Sequence, residues 1–180
     1  MYKFASTSKI TFPGSGIAAL ATSPNNMEDI KNQLKHQTIG HDKVNQLRHV
    51  RFFGDIHGMV EHMRKHAEIL RPKFEMVESM MKQELGDKGI GSWSTPLGGY
   101  FIGFESLPGC AKEIVARCKK AGVTMTPAGA TWPYGKDPQD TSIRIAPTFP
   151  SMHDLEAAGR LFCLCVKIVS LEKMLKEPAN

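Results

Sequence analysis

The stretch Gly98-Gly99-Tyr100-Phe101-Ile102-Gly103-Phe104 decides how the second half of the chain is read. Two glycines open a run rich in aromatic residues, the composition of a strand entered from a tight turn. Gly86, Gly89 and Gly91 punctuate the residues before it. Beyond it, residues 110–120 read as a helix ended by Gly122, followed by a short strand around Val123–Met125. Pro127 to Pro138 reads as an irregular loop, and Ser142–Ala146 as another strand, stopped by Pro147 and Pro150. A final helix runs from Asp154 to about Leu175, with Leu155, Leu161, Leu164, Cys165, Ile168, Leu171 and Leu175 as its apolar stripe. Strand, helix, strand, loop, strand, helix describes a compact α/β lobe.

Residues 42–84 carry long helical signals. Asp42 is a cap for a helix reaching about Phe53, and Gly54 and Gly58 loosen the chain between them. Met59, Met63, Ala67, Leu70, Phe74, Val77 and Met81 recur at steps of three and four, so they form one stripe. Pro72 lies inside that run and predicts a kink or a break near Arg71. Earlier, Pro24-Asn25-Asn26 reads as a turn, with Asn26 starting a helix over 27–37. Ile17–Ala21 reads as a short buried strand. Few large apolar groups occur in residues 1–24, so burial returns little against the cost of ordering the backbone. That segment is expected to be poorly ordered, displaced or held by another chain, and the 59–81 stripe to stand exposed and favour self-association.

The chain has 180 residues, 41% of them hydrophobic, and a net charge of +5. Collagen-like, low-complexity and wholly disordered chains are thereby excluded. No apolar run approaches the length of a membrane span. The cysteines, at 110, 118, 163 and 165, show no framework spacing, which points to a reducing, cytoplasmic setting. Glu61, Glu68 and Glu75 interrupt the basic residues of the middle, so no nucleic-acid partner is expected. His62 and His66 share a helix face but lack a third ligand, so they read as a local pair and not as a metal site. Gly14-Ser15-Gly16-Ile17-Ala18-Ala19 matches a dinucleotide string, but it follows Pro13 and opens no helical stripe. It reads as a tight turn or a close backbone approach.

Two residues carry candidate chemistry. Lys9 lies in Ser6-Thr7-Ser8-Lys9, where an amine able to form a Schiff base sits beside hydroxyls able to bind a phosphate. A solvated turn lysine is the plainer reading. Arg144, in Ile143-Arg144-Ile145, either snorkels outward or clamps a carboxylate through its planar fork.

Five stretches occur together in order: Ser6 through Gly16, Ile39-Gly40-His41-Asp42-Lys43 through Phe53, Pro96-Leu97-Gly98-Gly99-Tyr100-Phe101-Ile102, Ala121 through Ala130, and Ile143-Arg144-Ile145-Ala146-Pro147-Thr148-Phe149-Pro150. As a set they resemble the fold-type I pyridoxal-phosphate aminotransferases, and more narrowly the MocR-like aspartate aminotransferase group. The resemblance covers nearly the whole chain and is to the C-terminal part of such enzymes. It implies an α/β architecture in three pieces. Residues 1–55 would be the remnant of a large cofactor-binding domain, 56–84 a long interdomain helix region, and 85–180 a small C-terminal α/β domain.

The resemblance also implies roles. Lys9 would bear the pyridoxal 5′-phosphate and shuttle the proton. Ser6 and Ser8 would be hydroxyls on its phosphate side, Arg144 would pair with the substrate carboxylate, and Gly99, with Gly98, would lie near the substrate entrance. Substrates would be an amino acid, an acidic one such as aspartate, and a 2-oxo acid, handled by a homo-oligomer. Many aminotransferases carry an arginine seven or eight residues past the lysine, where this chain has Gly16 and Ile17. The MocR-like group resembles this chain in lacking it. The family's glycine-rich phosphate loop, ring-stacking aromatic, pyridine-binding aspartate and asparagine–tyrosine pair have no counterpart in these residues. Three readings stand open: part of an aminotransferase inactive in isolation, a structural or interaction module that kept only the fold, or one chain of a split enzyme.

Overall fold

In a computed structural model, residues 1–176 are described. They divide into two compact units, the first Met1–Ile69 and the second from Leu70 onward.

The first unit begins with a two-stranded antiparallel ribbon, β1 (Lys3–Ser6) and β2 (Ala18–Ala21), in which Lys3 faces Ala21 and Ser6 faces Ala18. Residues 1–24 therefore have regular structure where little was expected. Thr7 supplies the reason. Its amide donates to the Ile17 carbonyl at 2.9 Å, and its hydroxyl accepts from the Ile17 amide at 2.9 Å. The ribbon closes by polar tethers instead of apolar burial, and β2 is mostly exposed, not the buried strand its alanines suggested.

Helix α1 (Pro24–Gln37) starts earlier than Asn26, with Ser23 as cap residue and Pro24 at the first position. Proline is preorganised there and its missing N–H costs nothing. Helix α2 (Lys43–Phe53) follows the sequence reading closely. Asp42 accepts from the Asn45 amide at 2.8 Å, and Gly54 ends the helix at φ 71°.

Helix α3 (Ile56–Leu85) runs unbroken through Pro72, so the expected break near Arg71 does not interrupt the element. Gly58 lies inside this helix and does not loosen the chain. A Cβ there would stand 1.8 Å from the Phe53 carbonyl oxygen, so only glycine permits the close approach of α2's last residue. The apolar stripe is buried only toward its end. Val77 and Met81 are fully buried, while Met63 is exposed. Burial of the second half of the stripe corrects the expectation that all of it stands open.

In the second unit, β3 (Gly91–Trp93), β4 (Ile102–Ser106) and β5 (Ser142–Ile145) form an antiparallel sheet in that order. Along β4 burial alternates, with Ile102, Phe104 and Ser106 inward and Gly103 and Glu105 outward. Helix α4 (Ala111–Lys120) and helix α5 (Met152–Lys176) complete the unit. Phe104, Ile102, Ile114, Ile143, Phe162, Val166 and the α3 residues Met81 and Leu85 form one apolar core.

Residues 123–125 are not a strand. Gly122 turns at φ 95°, the Val123 amide returns to the Cys118 carbonyl at 2.8 Å, and no ladder partner follows. On α5 the buried set is Leu155, Phe162, Cys163, Cys165, Val166, Val169 and Ser170. Leu164, Ile168, Leu171 and Leu175 of the expected stripe are exposed. All four cysteines are reduced and buried. Among the described residues no helix is long and apolar enough to cross a membrane.

Candidate functional site

Lys9 occupies a tight turn at the end of β1. The Ile10 and Thr11 amides both donate to the Thr7 carbonyl, at 2.9 and 3.1 Å. Ser6 and Ser8 precede it. Their hydroxyl oxygens are 2.6 Å apart, and the Ser8 amide donates to Ser6 Oγ at 3.1 Å. Ser6, Ser8 and Lys9 are all exposed, while Thr7 between them is buried. Alternation thus turns the chemistry outward and the anchor inward.

Gly16 presses against this turn from the returning strand. A Cβ on it would stand 2.6 Å from Ser8 Oγ and 2.8 Å from Ser8 Cα. The Gly14–Ala19 string is therefore a close backbone approach, and it leads into β2, not into a helix. His62 Nε2 donates to the Ile10 carbonyl at 2.6 Å, and His66 Nε2 lies 3.1 Å from His62 Nε2. The two histidines form the local pair their spacing indicated, and that pair helps hold the Lys9 turn.

Arg144 and Gly99 belong to the second unit. On β5, Arg144 faces Gly103 of β4, which the pleat places on the outer side, away from Ile143 and Phe104. Its guanidinium carbon lies 4.5 Å from the Phe101 ring centroid, a cation–π contact. Arg144 Nε is buried and has no hydrogen-bond partner among the described residues. An unsatisfied buried donor costs about 1–3 kcal/mol, a cost that an acceptor reaching Nε would remove. Lys73 Nζ donates to the Thr148 and Pro150 carbonyls, at 2.7 and 2.6 Å, and so fixes the loop after Arg144. Gly99 adopts φ 92° in an open stretch, so its glycine is needed for backbone direction and not for room.

A cavity of ≈ 220 Å³ is lined by Val77, Met81, Met125, Leu155 and Phe162, among others, and also by Arg144. Its lining is mostly apolar, with Thr124, Thr126 and Arg144 as the polar groups. Phe101 and Lys73 were not legible as site residues. Phe101 read as part of a strand, and Lys73 as one more base in a charged helix.

The mixed α/β architecture and the sequence together match the fold-type I pyridoxal-phosphate aminotransferases. Within that class the chain belongs to the aspartate amino-transferase family, whose profile matches residues 1–177. A relative from Mycolicibacterium smegmatis is 46% identical over 172 residues, covering 96% of this chain and 40% of that protein. An aspartate aminotransferase from Corynebacterium glutamicum is 39% identical over 171 residues, covering 95% of this chain and 40% of the relative. The crystal structure of an aspartate transaminase from Corynebacterium glutamicum superposes with a TM-score of 0.91 at 38% identity, over 96% of this chain and 41% of that one. This chain thus spans about 40% of the length of the curated relatives it matches.

Proposed function

We propose that the chain carries the lysine-bearing segment and the C-terminal small domain of a MocR-like, pyridoxal-phosphate-dependent aminotransferase. Its substrates are an acidic amino acid, aspartate first, and a 2-oxo acid. The reading is carried by the Lys9 turn, where an exposed lysine follows two serines whose hydroxyls are in contact. That donor set suits a phosphorylated aldehyde: an amine for the carbonyl, and Ser6 and Ser8 as hydrogen-bond donors for phosphate oxygens. Bound pyridoxal phosphate supplies an electron-withdrawing ring that makes the amino acid's alpha proton acidic.

Lys9 Nζ would hold the cofactor's aldehyde carbon and, when released from it, would take the alpha proton as a general base and give it up as a general acid. Arg144 grips the alpha-carboxylate with its planar fork, oriented by the Phe101 ring. Gly99 gives the backbone before β4 the direction that lets substrate reach it. Relatives named as aspartate aminotransferases support the acidic substrate. Four buried thiols suit a reducing compartment, and we place the protein in the cytoplasm as a homo-oligomer. Within the chain, residues 1–55 belong to the large domain, 56–84 to the interdomain helix and 85–180 to the small domain.

Borohydride trapping with pyridoxal phosphate, followed by peptide mapping, tests this reading. Label on Lys9 is expected; label on another lysine with Lys9 unmodified refutes it. An interaction module without activity is the second reading, favoured by Leu47, Val50 and Phe52 standing exposed on α2. Failure of any lysine to label would favour it.

A further inference from the structure

We propose that His49 is a positioning residue for the Lys9 amine. The inference rests on the reading of Lys9 as the reacting lysine. His49 sits on α2, far from Lys9 in sequence, and is 2% exposed. Its Nε2 lies 3.2 Å from the Thr7 hydroxyl and 3.0 Å from the Thr11 hydroxyl, the two residues that bracket Lys9 at two positions on either side.

The proton inventory fixes how this works. His49 Nδ1 lies 2.9 Å from the Asn45 carbonyl oxygen, which can only accept, so Nδ1 carries the hydrogen. In the neutral ring, Nε2 then offers one lone pair to two hydroxyls. Each hydroxyl also has a backbone alternative, the Ile17 carbonyl at 3.4 Å for Thr7 and the Thr7 carbonyl at 3.0 Å for Thr11. Whichever hydroxyl donates to Nε2, the other has a carbonyl to satisfy it. No buried donor is stranded, and Nε2 holds one end of the turn while the other end stays on its carbonyl.

The ring itself cannot drift. Phe12 packs edge-on against it, with centroids 5.3 Å apart, and Arg48 covers Phe12 at 4.2 Å. Asn45 Nδ2 donates to the Ser15 carbonyl at 2.8 Å, fastening the returning strand to the same helix turn. An imidazole is suited to this task because it presents a fixed donor and a fixed acceptor on one rigid ring. The bond from Nδ1 to Asn45 fixes the ring, and Nε2, within reach of both hydroxyls, locates Thr7 and Thr11 and thereby sets the direction in which Lys9 leaves the turn. Misplacement of a reacting group by about 1 Å costs up to ~100-fold in rate.

The test uses the full chain and three variants. His49→Phe fills the volume without an acceptor, His49→Gln keeps an amide oxygen near the place of Nε2, and Thr11→Val removes one hydroxyl without changing shape. Trapping of pyridoxal phosphate on Lys9 by borohydride should slow by about tenfold in H49F. It should slow less in T11V and be largely restored in H49Q. Amide hydrogen exchange at Ile10, Thr11 and Ile17 should accelerate in H49F and T11V but not in H49Q, with α4 and α5 amides unchanged. Wild-type trapping and exchange in both H49F and T11V would overturn the proposal. H49Q as impaired as H49F would also overturn it, by reducing His49 to a packing residue. Were H49F unable to fold, T11V and H49Q decide alone. Label on a different lysine in the wild-type chain would remove the Lys9 reading, and the positioning role with it.

Discussion

Thr7 and His49 are the two fully buried residues of the first unit, both are polar, and they meet each other. In the second unit the largest fully buried side chains are Phe104, Met81, Leu85, Ile102, Ile114, Ile143 and Val166, with Pro147 and three cysteines, and the buried polar residues Ser106, Asp137, Thr141 and Ser170 are a minority beside them. The two regions are held by different physics. Apolar burial has no direction and scales with area, so it sets how stable the second unit is. Hydrogen bonds are weak in net energy but strict in geometry, so they set where the atoms of the Lys9 turn lie. A region that presents a reactive amine gains from the second kind of specification even where it yields little stability.

The largest effect that could break this contrast is in the apolar core. Phe104→Ala should cost about 3–5 kcal/mol in denaturant unfolding, since it empties the centre of the sheet against Phe162. A loss below about 1 kcal/mol would show that the second unit does not depend on bulk burial. Next in size, Arg144→Lys should weaken carboxylate binding by about 2–5 kcal/mol, because an ammonium cannot reproduce a two-pronged contact. Equal affinity for a 2-oxo acid in R144K and wild type, measured by calorimetry, would remove Arg144 from that role.

Gly16→Ala sharpens the contrast from the other side. Its new Cβ would press on the Ser8 backbone, so about 1–3 kcal/mol of local strain is expected. Faster exchange of the Thr7 and Ile17 amides, with the second unit unaffected, is the signature. Unchanged exchange would mean the ribbon accommodates the methyl and that the approach is not specific.

Asp137 gives a pH dependence confined to the second unit. The Ser142 amide at 2.8 Å, then those of Thr141 and Gln139, hold its carboxyl below the usual aspartate range. A depressed folded value contributes stability that is complete above the unfolded value of about 3.9 and drains as pH falls through the folded one. Asp137→Asn should flatten the loss of stability below about pH 4. Wild-type acid sensitivity in D137N would disprove it. The smallest effect belongs to Glu172, which receives the Arg117 fork at 2.7 and 2.9 Å in a half-exposed setting. Glu172→Gln should lower the urea midpoint only slightly, and less at high salt.

Local chemistry was legible where one residue decided one feature. Asp42 capped α2, which ran to Phe53, and Gly122 ended α4. Strand β4 was legible in the aromatic run after Gly98-Gly99, two residues early, and β5 in the run that Pro147 stops. Features that depended on partners were less legible. Helix α5 is apolar nearly all round, so its period could not say which side meets the core, and Leu164, Ile168, Leu171 and Leu175 turned out exposed. Strand β1 has four exposed residues and no apolar rhythm, and only its pairing with β2 makes it a strand. In the candidate site, Lys9 and its hydroxyls could be read from proximity in sequence. His49 could not, because its partners lie 38 and 42 residues away and a histidine in a basic helix carries no mark of burial.

The four buried thiols turn the second unit into its own clock. Burial pushes the Cys118 thiol up to about 12 and that of Cys163 up to about 11, so the nucleophilic thiolate is scarce while the core is closed. All four cysteines follow residue 109, so a thiol-reactive dye is blind to the first 109 positions. Its rate of uptake counts how often the sheet and its helices come apart, and nothing that happens at the Lys9 turn alone adds to the count. A single coloured reagent, with no engineered label, thus separates breathing of the core from rearrangement of the amine-bearing ribbon.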